Sequence, residues 1–97
     1  MSFVRSLIFA DIDAERDRQE NIGVNKRTQG IDWRSCADPE MEGGDWVRNA
    51  VLGEEVGEVS NALLEKVYGG SLDNSHLRDE LIQVAAVAVA WVEYLDS

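Results

Sequence analysis

An all-α fold is predicted by three features of this sequence. Apolar residues recur at helical spacing in three separate segments, no segment alternates apolar and polar residues as a strand would, and glycines with the only proline punctuate the chain between the segments. The predicted architecture is a helical hairpin preceded by an N-terminal helix, with a four-helix-bundle-type core completed through oligomerisation. The 97 residues form a single predicted domain, 1–97. A chain of this size buries only about 60–65% of the surface that its unfolded form exposes, so a partner chain is expected to contribute to the core.

The first predicted helix runs from about Ser2 to Glu20. Phe3, Val4, Leu7, Ile8 and Ile12 form its apolar stripe, after which AERDRQE turns charged and is expected to project beyond the core as a solvated end. Residues 21–44, NIGVNKRTQGIDWRSCADPEMEGG, read as one long loop with at most a short helical turn. Connections longer than about 12–15 residues are usually functional or mobile, and Lys26, Arg27 and Arg34 make this one a candidate lid. Asp45 is the predicted N-cap of the second helix, which continues through WVRNAVLGEEVGEVSNALLEKVY until Gly69 and Gly70 stop it. Its internal Gly53 and Gly57 each cost about 1 kcal/mol relative to alanine, which points to close packing against another backbone or to a tolerated penalty. The third helix starts at Asp73–Ser75 and reaches about Leu95. Between Leu81 and Val92 it is apolar on every side except at Gln83, and two other helices of one chain cannot surround it. A homodimer or homotetramer is therefore expected, with Trp91 in the core or interface.

Acidic residues number 19 against 9 basic ones, a net charge of −10. Such a chain repels DNA, RNA and anionic membranes, so neither a nucleic acid nor a membrane is an expected partner. Cys36 is the single cysteine and has no internal disulfide partner, as suits a reducing compartment. The opening MSFVRSLIFADIDAERD has no signal-peptide pattern, and the longest uncharged apolar run, Val84–Val92, falls far short of the roughly 20 residues of a membrane span. A cytoplasmic location is the expectation.

The chemistry is suggested by acidic residues in apolar surroundings. At about 100° per residue, Val51, Val59, Leu52 and Ala62 all fall within about 60° of Glu55 on the second helix, and Glu58 follows one turn along at about −60°. On the third helix Val87, Trp91 and Val84 fall within about 40° of Glu80, with Gln83 at about −60°. Each helix thus carries an i, i+3 pair of oxygen-bearing side chains on its packing face, and antiparallel packing would bring the pairs together. Carboxylates about 5 Å apart repel by roughly 3 kcal/mol per pair at an effective dielectric near 20, so the seam calls for a proton or a cation. Mg²⁺, or Mn²⁺, suits an all-oxygen donor set and pairs naturally with substrate phosphates.

Glu54-Glu55-Val56-Gly57-Glu58 followed by Glu80-Leu81-Ile82-Gln83 resembles the signature of the MazG-like all-α nucleoside triphosphate pyrophosphohydrolases, E-E-x-x-E on one helix and E-x-x-D on the next. The resemblance spans about residues 45–95 and extends more weakly to Glu15-Arg16-Asp17-Arg18-Gln19. It implies a metal-dependent hydrolysis of a (deoxy)nucleoside triphosphate to monophosphate and pyrophosphate in a dimeric or tetrameric bundle. Carried over by position, Glu55, Glu58 and Glu80 are metal ligands, with Glu54 supporting or deprotonating the attacking water. Gln83 stands where the family has aspartate; its amide oxygen can ligate Mg²⁺ but brings no charge. Gln19, Trp33, Trp46, Arg48 and Asn61 are the candidate nucleotide-binding residues.

Blander readings stand beside these. Glutamate pairs at helical spacing are commonly solvated, Gln83 can serve as a core amide, Trp46 can be a packing residue, and His76 reads as an exposed histidine at a helix start. Two alternative functions follow: a non-catalytic dimeric helical interaction module whose carboxylates pair with Arg16, Arg18 or Arg48 across an interface, or a nucleotide-binding relative that has lost turnover through Gln83.

Overall fold

The computed structural model of the chain describes residues 2–28, 35–70 and 73–97, and the side chains of all of these except 22–28. The described residues are all-helical: α1 spans Ser2–Thr28, α2 Gly44–Tyr68 and α3 Ser75–Asp96. No strand occurs among them.

The first helix is two turns longer than its apolar stripe implies. Past Glu20 the sequence offers neither apolar periodicity nor strong propensity, and Gly23 argues against continuation, yet the backbone stays helical to Thr28. The connection to α2 shortens accordingly.

The start of α2 also differs from expectation. Gly43 occupies the cap position with φ +88°, and Gly44 follows at φ +58°. A β-carbon on Gly43 would collide with the Val47 side chain, so both the left-handed backbone and the close approach call for glycine. Asp45 falls inside the first turn instead, where its carboxylate accepts a 2.9 Å hydrogen bond from Trp91 Nε1. A tertiary donor has taken the oxygen that the cap would have used. At the other end the expectation holds: Gly69 N–H donates to the Glu65 carbonyl at 2.7 Å and Gly70 turns to φ +68°.

Helix α3 is central and packs against both α1 and α2. Asp45 meets Trp91 while Glu65 meets His76, so α2 and α3 run antiparallel and Glu55 lies at the level of Glu80. Along α1 the links run in the other sense, from Asp11–Arg78 to Arg16–Glu93. The buried core is small: Cys36, Val87 and Ala90, flanked by Ala37, Met41, Val51, Leu52 and Trp91. It sits where the 35–43 segment lies between α2 and α3.

Arginine anchors this segment. Arg48 is 1% exposed; its Nε donates to the Cys36 carbonyl at 2.8 Å and its Nη2 to the Asp38 carbonyl at 2.6 Å, while its guanidinium stacks 3.6 Å from the Tyr94 ring centre. A second buried arginine, Arg16, donates to Glu93 (2.7 Å), Gln19 (3.0 Å) and Glu20 (2.7 Å), tying α1 to α3. The AERDRQE segment is thus largely exposed, as expected, but Arg16 within it is buried because it finds Glu93 from the far end of the chain.

Large apolar side chains remain uncovered on all three helices: Phe3, Val4, Leu7 and Phe9 on α1, Val56, Leu63 and Val67 on α2, and Leu81, Val92 and Leu95 on α3. No helix among the described residues is long and apolar enough to cross a membrane.

Gly53 and Gly57 face open space, with nothing within 4 Å of an added β-carbon. Gly53→Ala and Gly57→Ala are each expected to stabilise the chain by about 0.5–1 kcal/mol, through helix propensity alone. Thermal melts of the two variants check this, and a loss of stability would mean that another backbone packs against that face.

Candidate functional site

The antiparallel register of α2 and α3 brings Glu55 and Glu80 to a common seam. The Glu80 side chain is only 13% exposed. One oxygen of each residue, Oε2 in both cases, is sealed from solvent and has no hydrogen-bond partner. A buried carboxylate oxygen without a donor is costly, at about 1–3 kcal/mol or more for a charged group, and such groups are few in folded proteins. Burial pushes the Glu55 carboxyl above its ordinary value, and the negative charges of Glu80, Glu58, Glu15 and Glu54 push it further in the same direction. Arg18 of α1 is close enough for the Glu55 charge to act on it, but its hydrogen bonds go to Glu15.

The remaining members of the predicted set are distributed around this point. Glu58 and Glu54 lie on the exposed side of α2, near enough for their charges to reach Glu55. Gln83 is half-buried but lines a cleft of about 470 Å³ between α1 and α3, opposite Glu15 and Arg18 and beside Arg78 and Asp79. The reason is geometric. Glu80 and Gln83 differ by about 60° around α3, so Gln83 stays a neighbour of Glu80 while lining the side that α1 covers. Among the described residues no three His, Cys, Asp or Glu side chains are arranged as a metal-binding group. The seam supplies two carboxylates, which fits an ion such as Mg²⁺ that commonly uses one or two protein carboxylates and completes its shell with water and phosphate oxygens.

Two further residues, Glu15 of the charged run and the helix-start His76, lie near this point. Glu15 has a side chain only 13% exposed, is gripped by Arg18 at 2.6 and 2.7 Å, and adds to the charge that Glu55 feels. Its i, i+3 spacing to Arg18 was the available signal, though nothing local tells that α1 docks at this height. His76 is half-exposed but bridges two helices, with Nδ1 2.9 Å from Glu65 Oε2 and Nε2 3.3 Å from Glu80 Oε1.

The predicted nucleotide-binding residues do not gather in one place. Arg48 is enclosed, with its donors directed to two carbonyls and to Asp45 at 3.5 Å; holding the 35–43 segment takes the groups that a phosphate would need. Gln19 accepts from Arg16 in the α1–α3 junction. Trp46, 86% exposed, and Asn61 lie on the outer surface of α2. Trp33 and Arg34 fall outside the described residues; Lys26 and Arg27 belong to α1 by their backbone, with side chains outside the description. The arginines of the interaction-module reading have partners within the chain: Arg16 with Glu20 and Glu93, Arg18 with Glu15, Arg48 with Asp45.

Compared with known proteins, the chain matches no protein-family model, no curated protein and no solved structure.

Proposed function

We propose that this chain is a metal-dependent nucleotide pyrophosphohydrolase that acts as a homo-oligomer and converts a (deoxy)nucleoside triphosphate to the monophosphate and pyrophosphate. The observation that carries the reading is the pair of sealed, unpartnered oxygens on Glu55 and Glu80. Two neighbouring carboxylates, each with one sealed oxygen that lacks a donor, are an arrangement that a hard divalent cation relieves. Mg²⁺ or Mn²⁺ bound there would neutralise phosphate oxygens and the leaving pyrophosphate. Glu55 and Glu80 would hold it, with water and phosphate oxygens completing the shell.

In the proposed reaction a water attacks the α-phosphorus, the bond from that phosphorus to the α–β bridging oxygen breaks, and pyrophosphate leaves with that oxygen. Glu54 is the candidate to take the water's proton. The nucleotide would lie in the α1–α3 cleft, whose volume of about 470 Å³ falls within the roughly 300–1,000 Å³ usual for small-molecule sites. Arg18 and Arg78 border that cleft, paired with Glu15 and Asp11 of the same lining, and a triphosphate would meet them by displacing those carboxylates. The uncovered stripes on α1, α2 and α3 support association with a second copy, which would complete a four-helix-bundle core.

A screen of nucleoside triphosphates with Mg²⁺ or Mn²⁺ and pyrophosphate detection tests the proposal. One or more substrates should release pyrophosphate in the presence of metal only, and Gln83→Asp, which restores the missing charge, should do so faster. If no triphosphate is cleaved by either form while nucleotide still binds, the related reading takes its place, in which Gln83 has left a binding protein without turnover. A protein that neither binds nucleotide nor responds to metal, yet is dimeric, is the interaction module that the exposed apolar stripes also fit.

A further inference from the structure

Helix α2 packs against α3 with the side that carries Glu55 and Ala62, and the opposite side, centred on Gly53, is open. Counting about 100° per residue, Trp46, Val56, Leu64, Val67 and Tyr68 all fall within about 60° of Gly53, while Glu55 lies about 160° from it. Trp46 and Tyr68 are more than four-fifths exposed and the other three more than half. Every charged residue of α2, from Asp45 to Lys66, falls about 80° or more from Gly53. A strip about 33 Å long is thus apolar and free of charge, on a chain whose net charge is −10. A solvated helix face would carry charges there.

The geometry points to this strip as the surface on which two copies of the chain meet, α2 against α2 across a two-fold axis. The inference rests on the homo-oligomer of the reading above, whose contact surface it names, and is independent of its chemistry. Charge selects the occupant. Two chains of −10 repel, and Glu54, Glu58 and Glu65 flank the strip, so the strip itself is where a second copy can approach without opposing carboxylates. A basic partner would be drawn to those flanks instead. Size agrees with this. Trp46 and Tyr68 offer about 150–250 Å² each, and with Val56, Leu64 and Val67 two copies have on the order of 1,000 Å² to cover, where specific interfaces begin. The strip also complements itself in the antiparallel sense that helix dipoles favour. Trp46 and Tyr68 are equally far in sequence from Gly57, as are Ala50 and Leu64, so Trp46 of one copy meets Tyr68 of the other and Ala50 meets Leu64. Side chains of this size hold helix axes about 8–10 Å apart, which leaves room for an alanine at Gly53 or Gly57. Glu55 faces away from the axis, and each seam stays within its own chain.

Sedimentation of the full chain at micromolar concentration tests the inference. The wild type should be dimeric, and Leu64→Glu and Val67→Glu should each weaken association about 30-fold or more, as loss of a central contact does. Both variants should keep the helical circular dichroism of the wild type, because these positions are exposed in the single chain; should either unfold, Leu64→Gln should weaken association in the same direction while folded. Phe9→Glu, on the apolar start of α1, should leave the dimer intact. Added salt should tighten the dimer by screening the repulsion between the two chains. Mixed Trp46→Cys and Tyr68→Cys chains should be joined to each other by a short bismaleimide, and neither variant to itself. A monomeric wild type overturns the inference together with the homo-oligomer of the reading above, while pyrophosphate release reports on the chemistry separately. A dimer that withstands the α2 variants but dissociates in Phe9→Glu places the contact on α1 and overturns this inference alone. Dissociation by salt overturns the uncharged contact, and cross-linking of either cysteine variant to itself overturns the antiparallel pairing.

Discussion

Glu55→Gln is expected to melt above the wild type at neutral pH in metal-free buffer, and to lose pyrophosphate release by two or more orders of magnitude when metal is supplied. Both effects have one cause. The carboxylate sits half-buried with one sealed oxygen that has no donor, and the charges of Glu80, Glu58, Glu15 and Glu54 act on it. Removing its charge relieves burial and repulsion, a gain of about 1 kcal/mol, at the low end for an unsatisfied group because much of the side chain still meets solvent. In a chain of this length that moves the melting midpoint by about 4–8 °C. Loss of a metal ligand would cost several kcal/mol of barrier lowering, at about 1.4 kcal/mol per tenfold in rate.

The pH dependence has a definite sign. Folding raises the Glu55 carboxyl above its ordinary 4.5, so the folded state binds this proton more tightly than the unfolded state. The associated stabilisation is fully present below about pH 4.5 and is lost as pH rises through the elevated folded value. The stability gap between Glu55→Gln and the wild type should therefore be widest near neutrality and close on acidification. Glu20 behaves oppositely: burial pushes its carboxyl up, but hydrogen bonds from Ser35 and Arg16 outweigh this and leave it below the ordinary 4.5. Its contribution is present above that value and fades as pH falls. Comparing the variant with the wild type removes this background. A wild type more stable than Glu55→Gln at pH 7 without metal, with a gap indifferent to pH, would sink the picture of an uncompensated seam.

Arg48→Met should be the most damaging single change to the fold. The substitution keeps an apolar stem but deletes two charge-assisted bonds, at 2.8 Å to the Cys36 carbonyl and 2.6 Å to the Asp38 carbonyl, and the stacking on Tyr94. Such bonds are worth about 1.5–3 kcal/mol each, and the carbonyls left behind lose their donor. A combined loss of about 3–5 kcal/mol is expected, a drop in melting midpoint of more than about 12 °C. Arg48→Lys should recover little, because one ammonium cannot span two carbonyls or lie flat on the tyrosine ring. Urea denaturation of the three proteins provides the measurement; near-wild-type midpoints would show that the 35–43 segment does not depend on this anchor.

The sequence by itself determined what short-range periodicity can carry. Three helices, the Gly69–Gly70 stop, the antiparallel α2–α3 hairpin and the presence of Glu55 and Glu80 inside apolar stripes all follow from spacing over one or two turns. Tertiary structure decided everything that needed a distant partner. The extension of α1 to Thr28 was invisible because residues after Glu20 show no periodicity of their own. The burial of Arg16 and Arg48 depends on Glu93 and on the Cys36 and Asp38 carbonyls, none of which a local window can pair with them. That Gln83 lines a cleft against α1 follows from the side on which α1 docks. A helix repeats every 3.6 residues and so announces its faces locally, but which neighbour each face meets is set by long-range packing.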